Sequence, residues 1–325
     1  MTDLSDRNVL VGGGCGFFGS YLVPALVRAG ANVTVVDNLA NGELAALESV
    51  RDDVRFIQED LRDRAACDEL LRGIDLFVNL AGTAYGVGYS RANHADMLVD
   101  NVLCGLVPLQ AAARHGVRHV VLTSTSCVYP DDAPVPTPEL DAFTGGPETV
   151  NQGYGWAKRV QELAGGYFAC ERAMQVTVLR PFNLYGANYP WRSDEKAHVI
   201  PSLVKRVLDG EDPLVVWGSG EQRRNFLHGS DAAELTLRII ASGAQGAVNL
   251  GYETDTSIAE LAELICDVTG RFPTIVFDRD RPDGQARKSA DATRLRSLTG
   301  DYAPRVTLRE GIQEMVAWYY ETFAV

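Results

Sequence analysis

The chain is poor in the residues that build disulfide scaffolds and metal centres. Its six cysteines, at positions 15, 67, 104, 127, 170 and 266, are scattered through 325 residues without a CxxC pair. That spacing argues against a zinc site or a disulfide framework, so no metal, reduced thiols and a cytoplasmic location are expected. Positive charge is also short: 30 Lys and Arg stand against 43 Asp and Glu, a formal net charge of -13. Nonspecific nucleic-acid binding needs a basic footprint, so no nucleic-acid partner is expected. An anionic ligand then has to be held by a local cluster of Arg or Lys and by helix N-termini. No apolar run reads as long enough to span a bilayer, so no membrane partner is expected. Met1 to Arg7 is polar and leads straight into the first apolar run, which is not a signal-peptide pattern. Repeats and low-complexity tracts are missing too.

What is present is ordinary globular composition, 46% hydrophobic and 22% charged. It suffices for one large domain or two closely packed ones. Short runs rich in Val and Ile recur between helix-like stretches: 9–11, 33–36, 54–57, 76–80, 117–123 and 176–179. Continuous apolar runs of this kind predict parallel strands covered on both faces, an α/β fold with a doubly wound, Rossmann-like sheet. Beyond Arg180 the texture changes. Loops richer in Pro, Trp and Arg are expected at 189–196, 217–224 and 279–288, with helices at 201–209, 231–240, 258–269 and 308–322. The reading is a dinucleotide-binding domain of residues 1–180 and 226–251. A smaller interleaved α/β substrate domain takes 181–225 and 252–325.

Between the first strand and the first helix, Gly13, Gly16 and Gly19 stand at GxxGxxG spacing. Missing side chains let such a turn approach a pyrophosphate, which the following helix N-terminus attracts. Asp37 ends the second strand, where a carboxylate accepts hydrogen bonds from ribose hydroxyls and repels a 2′-phosphate. No Arg or Lys lies between Val33 and Val50. NAD is therefore expected over NADP. Asp60 and Leu61, after the third strand, stand where an adenine ring could rest. Tyr154 and Lys158, four apart, share one helical face. A nearby ammonium and a nicotinamide ribose can depress the phenol pKa, so that the phenol moves a proton while hydride moves to or from the cofactor.

Together these motifs resemble the extended short-chain dehydrogenase/reductase family, over nearly the whole chain. The resemblance includes Leu80-Ala81-Gly82, Asn101, Thr123-Ser124-Thr125, the stretch from Pro181 to Gly186, and Trp217-Gly218-Ser219-Gly220 leading to Arg224. It implies a cofactor site made of Gly13, Gly16, Phe17, Phe18, Asp37, Asn38, Asp60, Leu61, Leu80, Ala81, Gly82, Asn101, Thr123, Tyr154, Lys158 and Pro181. It also makes Thr125 the hydroxyl that bonds the reacting sugar oxygen beside Tyr154. Four stretches are similar to the branch holding GDP-L-fucose synthase and GDP-mannose 3,5-epimerase. These are Ser126 to Pro130, His198-Val199-Ile200-Pro201, Val216 to His228, and Pro282-Asp283-Gly284 through Lys288. In that branch a Cys and a His exchange protons at carbons flanking a keto group, which here implies Cys127 and His198. A C4 ketone acidifies the C3 and C5 hydrogens, and an acid and a base on opposite faces invert a centre.

Ser126, Asn183, Val199, Arg206, Trp217, Arg224 and Arg281 complete the implied substrate site, with the arginines suited to a diphosphate. The partner implied is a nucleotide-diphosphate sugar, a GDP-sugar by resemblance, and the usual assembly is a homodimer. Two departures shape the expectation. Asp37 does not fit the NADPH-linked reduction of the fucose synthase. Ser126-Cys127 stands where the 4,6-dehydratases carry an Asp-Glu pair, so dehydration lacks its acid and base. An epimerase that oxidises C4, inverts at C3, C5 or C4 and returns the hydride remains. The alternatives are an epimerase/reductase with net reduction and a non-enzymatic dinucleotide sensor.

Overall fold

The runs of Val, Leu and Ile are buried on both sides, as parallel strands under two helical layers must be. The computed structural model describes residues 2–141, 143–189, 197–281, 285–300 and 302–323. Most of the expected loop at 189–196 and the Pro282-Asp283-Gly284 stretch lie outside the described residues. In chain order the first half reads β1 (Asn8–Gly12), α1 (Phe17–Arg28), β2 (Asn32–Asp37), β3 (Val54–Gln58), α2 (Arg64–Leu70), β4 (Leu76–Asn79), α3 (Val87–Ala92), α4 (His94–Arg114), β5 (His119–Thr123), α5 (Gln152–Arg172) and β6 (Gln175–Pro181). The second half reads β7 (Leu184–Tyr185), α6 (Val199–Leu208), β8 (Leu214–Trp217), β9 (Arg223–Arg224), β10 (Leu227–His228), α7 (Gly229–Ser242), β11 (Gly246–Leu250), β12 (Thr256–Ser257), α8 (Ile258–Thr269), β13 (Ile275–Asp278), β14 (Arg287–Lys288), α9 (Thr293–Thr299) and α10 (Leu308–Phe323).

Seven strands form one parallel sheet in the order β11-β6-β5-β4-β1-β2-β3. The winding reverses between β1 and β4, and ligands of such sheets bind in the crevice outside the strand ends at that reversal. Side-chain alternation along β1 feeds two cores. Val9 and Val11 join Leu22, Leu26, Leu235 and Ile239 beneath α1 and α7. Leu10 points the other way, with Phe77, Leu109, Val120 and Leu122. A third core lies among α6, α8, α10 and β8, from Leu203, Val207, Leu214, Val216, Leu261, Ile265, Ile312 and Met315. This smaller unit faces the cleft opposite the carboxyl edge of the main sheet through the short β9 and β14 strands, where Arg224 is paired with Lys288.

Two sequence expectations change. The segments at 217–224 and 279–288 are not loops throughout: Trp217 ends β8, and β9 and β14 pair with each other. Strands of two residues carry too little periodicity to be read from sequence. And α4, 21 residues long with an 18-residue stretch of mean hydropathy 1.2, is by length and composition enough to cross a membrane, against the expectation that no run reaches that length. Its buried side, including Met97, Gly105, Leu109 and Ala112, is spent on packing within the domain, chiefly against α5.

Candidate active site

The cofactor end is built from close backbone approaches. Gly13 has φ +73°, and a Cβ there would lie 2.7 Å from the backbone of Ala81. The Leu80-Ala81-Gly82 segment therefore rests directly on the glycine turn. A Cβ on Gly19 would meet the Gly14 carbonyl at 2.2 Å, so α1 sits down on the turn only because that position is bare. Gly16 caps α1 without a side-chain bond. The first amides of the helix, from Phe17 and Phe18 onward, have no intrahelical acceptor. This is a cradle for a pyrophosphate that larger side chains would fill.

At the end of β2, Asp37 is buried. Its Oδ2 accepts from the Cys15 amide at 3.0 Å and its Oδ1 from the Leu39 amide at 2.9 Å. The carboxylate thus ties the strand end to the glycine turn. Asn38 Nδ2 donates to Asp60 Oδ2 at 3.0 Å. Asp60 is gripped by Arg62, whose guanidinium and amide hydrogen bonds hold the carboxyl down at about 2 against a smaller burial penalty. Arg62 also reaches Asp100 at 2.7 Å. Leu61 is buried beneath Gly12. Asn101 is fully buried and spends its amide on backbone: Oδ1 accepts from Thr83 N at 2.9 Å, while Nδ2 donates to the carbonyls of Thr83 and Met97. It acts as a bolt that holds the segment after Gly82. Thr123 Oγ1, at the end of β5, is a buried hydroxyl without a protein partner among the described residues. Pro181 ends β6. Bare glycines, an acidic strand end and an unmatched hydroxyl at the sheet's carboxyl edge fit a dinucleotide.

The reacting groups follow β5. Thr125 caps a short turn, its Oγ1 accepting from the Cys127 amide at 3.1 Å. Ser126 and Ser124 are buried, and Ser124 is bonded to Glu162 of α5. Glu162 in turn forms a buried ion pair with Arg180 of β6, which also donates to the Tyr129 hydroxyl at 3.0 Å. This network holds the segment carrying Thr125 and Cys127 against α5. The approach is close enough that a Cβ on Gly155 would lie 2.8 Å from the Cys127 carbonyl and 2.6 Å from Pro147 Cβ. Tyr154, beside that glycine, thereby meets Thr125 and Cys127. Lys158 Nζ lies 5.6 Å from the Tyr154 ring centroid.

The electrostatics differ from the sequence expectation. Burial pushes the Tyr154 phenol well above its ordinary value, the Cys127 sulfur adds to the rise, and a hydrogen bond with Thr125 opposes it. Lys158 yields instead: burial pushes its ammonium down to about 8, with Cys104 and Glu162 holding it up. The phenol is not depressed here because its neighbours desolvate it more than the ammonium, placed over the ring, attracts its charge.

Around Cys127 the structure assembles groups to which sequence reasoning assigned no role. Lys288 Nζ lies 3.5 Å from Sγ and 3.1 Å from Glu148 Oε2. Asn151 Nδ2 lies 3.6 Å from Sγ and 2.8 Å from the same Glu148 oxygen. Glu148 and Asn151 carry no motif, and only the paired strands β9 and β14 reveal Lys288 as a neighbour of the sulfur. His198 precedes α6 and packs edge-on to Tyr189. Surrounding protein, with the Lys288 ammonium second, pushes its imidazole below the ordinary value, so it is neutral at neutral pH. The residue as a whole is nonetheless exposed.

The other expected substrate residues are more scattered. Val199 opens α6. Asn183, at φ +37°, donates to the Asn225 carbonyl at 2.8 Å. Arg224 sits beside Lys288 and donates to the Gln285 carbonyl at 2.6 Å. Trp217 is exposed, with Arg281 stacked 5.0 Å from its ring and 3.6 Å from Asp278. Arg206 is committed to Glu211 and donates to the Val215 carbonyl at 2.7 Å. A diphosphate contact at Arg206 would have to compete with Glu211.

Comparison with known proteins gives a consistent picture. The family model for the NAD dependent epimerase/dehydratase family matches residues 9–251. A putative GDP-L-fucose synthase 2 of Oryza sativa subsp. japonica is 35% identical over 72% of this chain and 68% of its own length. GDP-L-fucose synthase 1 of Arabidopsis thaliana is 31% identical over 98% of this chain and 95% of its own. The crystal structure of UDP-glucose 4-epimerase from Thermotoga maritima, solved with UDP-glucose, superposes with a TM-score of 0.87 at 28% identity, covering 97% of this chain and 99% of that one. With its glycine cradle, acidic strand end and Tyr154–Lys158 pair in place, the chain belongs to the NAD-dependent epimerase/dehydratase family, the extended branch of the short-chain dehydrogenases/reductases.

Proposed function

We propose that the protein is an NAD-dependent nucleotide-sugar epimerase that oxidises C4 transiently, inverts C3, C5 or C4, and regains the hydride. The observation that carries this reading is the meeting of Thr125 and Tyr154 with Cys127 at the carboxyl edge of the sheet, with Lys158 at the Tyr154 ring. NAD, when bound, supplies the hydride acceptor and donor. The chain's own groups do the rest. Thr125 orients the C4 oxygen, and Tyr154 takes and returns its proton while the Lys158 ammonium steadies the phenolate. Cys127, a protonated thiol at rest, is the acid at a carbon beside the ketone. His198, a neutral imidazole, is the base.

The nucleotide sugar lies between the main sheet and the smaller unit, its diphosphate near Arg224. A GDP-sugar is the favoured partner, supported by the two GDP-L-fucose synthase relatives. The protein is a homodimer through α4 and α5, which expose Val99, Leu103, Trp156, Val160 and Tyr167 along two neighbouring helices. Its six free thiols fit a reducing, cytoplasmic setting. Full-length similarity to a GDP-L-fucose synthase favours one second reading, an epimerase/reductase with net reduction of a 4-keto sugar. Incubation of the purified protein with 4-keto and 4-hydroxy GDP-sugars separates the two. Isomer formation without net consumption of added NADPH supports the epimerase; stoichiometric NADPH oxidation replaces it with the reductase.

A further inference from the structure

Cys127 Sγ stands at the centre of a charged cluster drawn from separate parts of the chain. Lys288 arrives on β14, 3.5 Å from the sulfur, and Glu148 arrives on the segment before α5, 3.1 Å from Lys288. Asn151 bridges Glu148 and the sulfur, 3.6 Å from Sγ and 2.8 Å from Glu148. Backbone bonds fix both arms: Glu148 N donates to the Cys127 carbonyl at 3.1 Å, and Asn225 N to the Lys288 carbonyl at 2.9 Å. The two charged side chains are only 9% and 6% exposed. A buried ion pair costs desolvation on both partners and is weak evidence for stability alone. This pair closes on a thiol, a group whose charge changes in the reaction proposed above.

We propose that Lys288, held by Glu148, is the positioning residue for Cys127: its ammonium compensates the negative charge left on sulfur when the thiol gives up its proton. The inference rests on the reading of Cys127 as a proton-transfer group. In that step the S–H bond breaks, the proton forms the new C–H bond beside the C4 ketone, and the electron pair left on sulfur faces Lys288. In reverse, sulfur takes the carbon-bound proton and that bond's electrons pass into the carbonyl as an enolate. The charged and titratable groups around Sγ are Glu148, Lys288 and Tyr154, with Arg224 and His198 beyond Lys288. Burial first, then Glu148, pushes the resting thiol up to about 12, and Lys288 pulls against them. Lys288 and Glu148 therefore act on the sulfur with opposite signs.

The test is peptide-resolved alkylation by iodoacetamide across pH, on the full chain as purified, with exposed Cys170 as the internal reference. The thiolate is the reacting form, so its fraction, and the rate, change about tenfold for each pH unit by which the thiol pKa moves. Lys288→Gln is expected to slow Cys127 alkylation at a given pH by at least several-fold, Glu148→Gln to speed it, and Lys288→Arg to restore the original profile. The Glu148→Gln/Lys288→Gln double variant guards against misfolding of either single one and is expected between the two. Shifts of the same sign in both singles, or no shift in either, overturn the proposal. Solvent-deuterium incorporation separates this from the functional reading. If no form incorporates deuterium while the alkylation shifts stay opposite, the reading of Cys127 as a proton-transfer group falls and the coupling of Lys288 to sulfur stands. If the original protein incorporates deuterium while alkylation is unmoved, the coupling falls alone.

Discussion

Gly155→Ala perturbs the catalytic centre without removing any functional group. On helix propensity alone the change favours α5 by about 0.8–1 kcal/mol. The packing opposes it. The added Cβ would lie 2.8 Å from the Cys127 carbonyl and 2.6 Å from Pro147 Cβ, whereas ordinary contact begins at 3.4 Å. The helix and the Cys127 segment must therefore part by roughly 3.4 − 2.8 = 0.6 Å, and by 0.8 Å at Pro147. Overpacking of this kind costs about 1–3 kcal/mol, so net destabilisation is expected. The same displacement moves Tyr154 away from Thr125 and Cys127. Misplacement on the order of 1 Å can cost about 10²-fold in rate. NAD affinity should change little, because the glycine cradle of Gly13 and Gly19 lies at the other end of the site. The assay pairs urea denaturation with kcat and an NAD titration. Increased stability with unchanged kcat would show that the contact is slack and refute the argument from close approach.

Three further outcomes are expected. Glu162→Ala strips the partner from Arg180, whose side chain is only 3% exposed. It should cost about 3–5 kcal/mol in chemical denaturation, and a loss under 1 kcal/mol would mean that the remaining bonds to Tyr129 and Leu140 suffice. Asp37→Ala should narrow the preference for NAD over NADP in paired titrations while weakening NAD, since it removes both the repulsion of a 2′-phosphate and the tie to Cys15 and Leu39; an unchanged preference would place the selectivity elsewhere. The Lys158 ammonium, pushed down to about 8 by burial, is lost as pH rises through that value, so kcat/KM should fall above it. Lys158→Arg should carry the fall to higher pH; a profile flat well past pH 8 would remove Lys158 from the titrating groups.

The large sheet and the cofactor cradle were legible in the sequence because each leaves a strong local mark. Val9 to Val11 and Val33 to Val36 are too apolar for anything but doubly covered strands, and Gly13, Gly16 and Gly19 mark a turn where side chains do not fit. Tyr154 and Lys158 are visible as a helical pair. The surroundings of Cys127 were not legible, because Glu148, Asn151 and Lys288 converge from distant segments, and β14, two residues long, has no period to read. The upward shift that the protein alone imposes on Tyr154 is hidden from the sequence for a related reason. It comes from burial by the Cys127 segment and the start of α5, a tertiary contact that the YxxxK spacing does not encode. Arg206 shows the converse: it looked like a free phosphate ligand, yet Glu211, five residues on, turns back to hold it.

Turnover in heavy water tests the account most directly. Epimerisation at C3 or C5 needs an enolate whose returning proton comes from a side chain in exchange with water. An epimerase working at C4 alone moves only a hydride between carbon and cofactor. With a GDP-sugar substrate, proton NMR of the product should show deuterium at C3, C5 or both. Cys127→Ser and His198→Asn should each suppress it by about 10²–10⁴-fold. Inverted product free of solvent deuterium would contradict the roles of Cys127 and His198 as acid and base, and leave them as structural residues in an enzyme that inverts C4 alone.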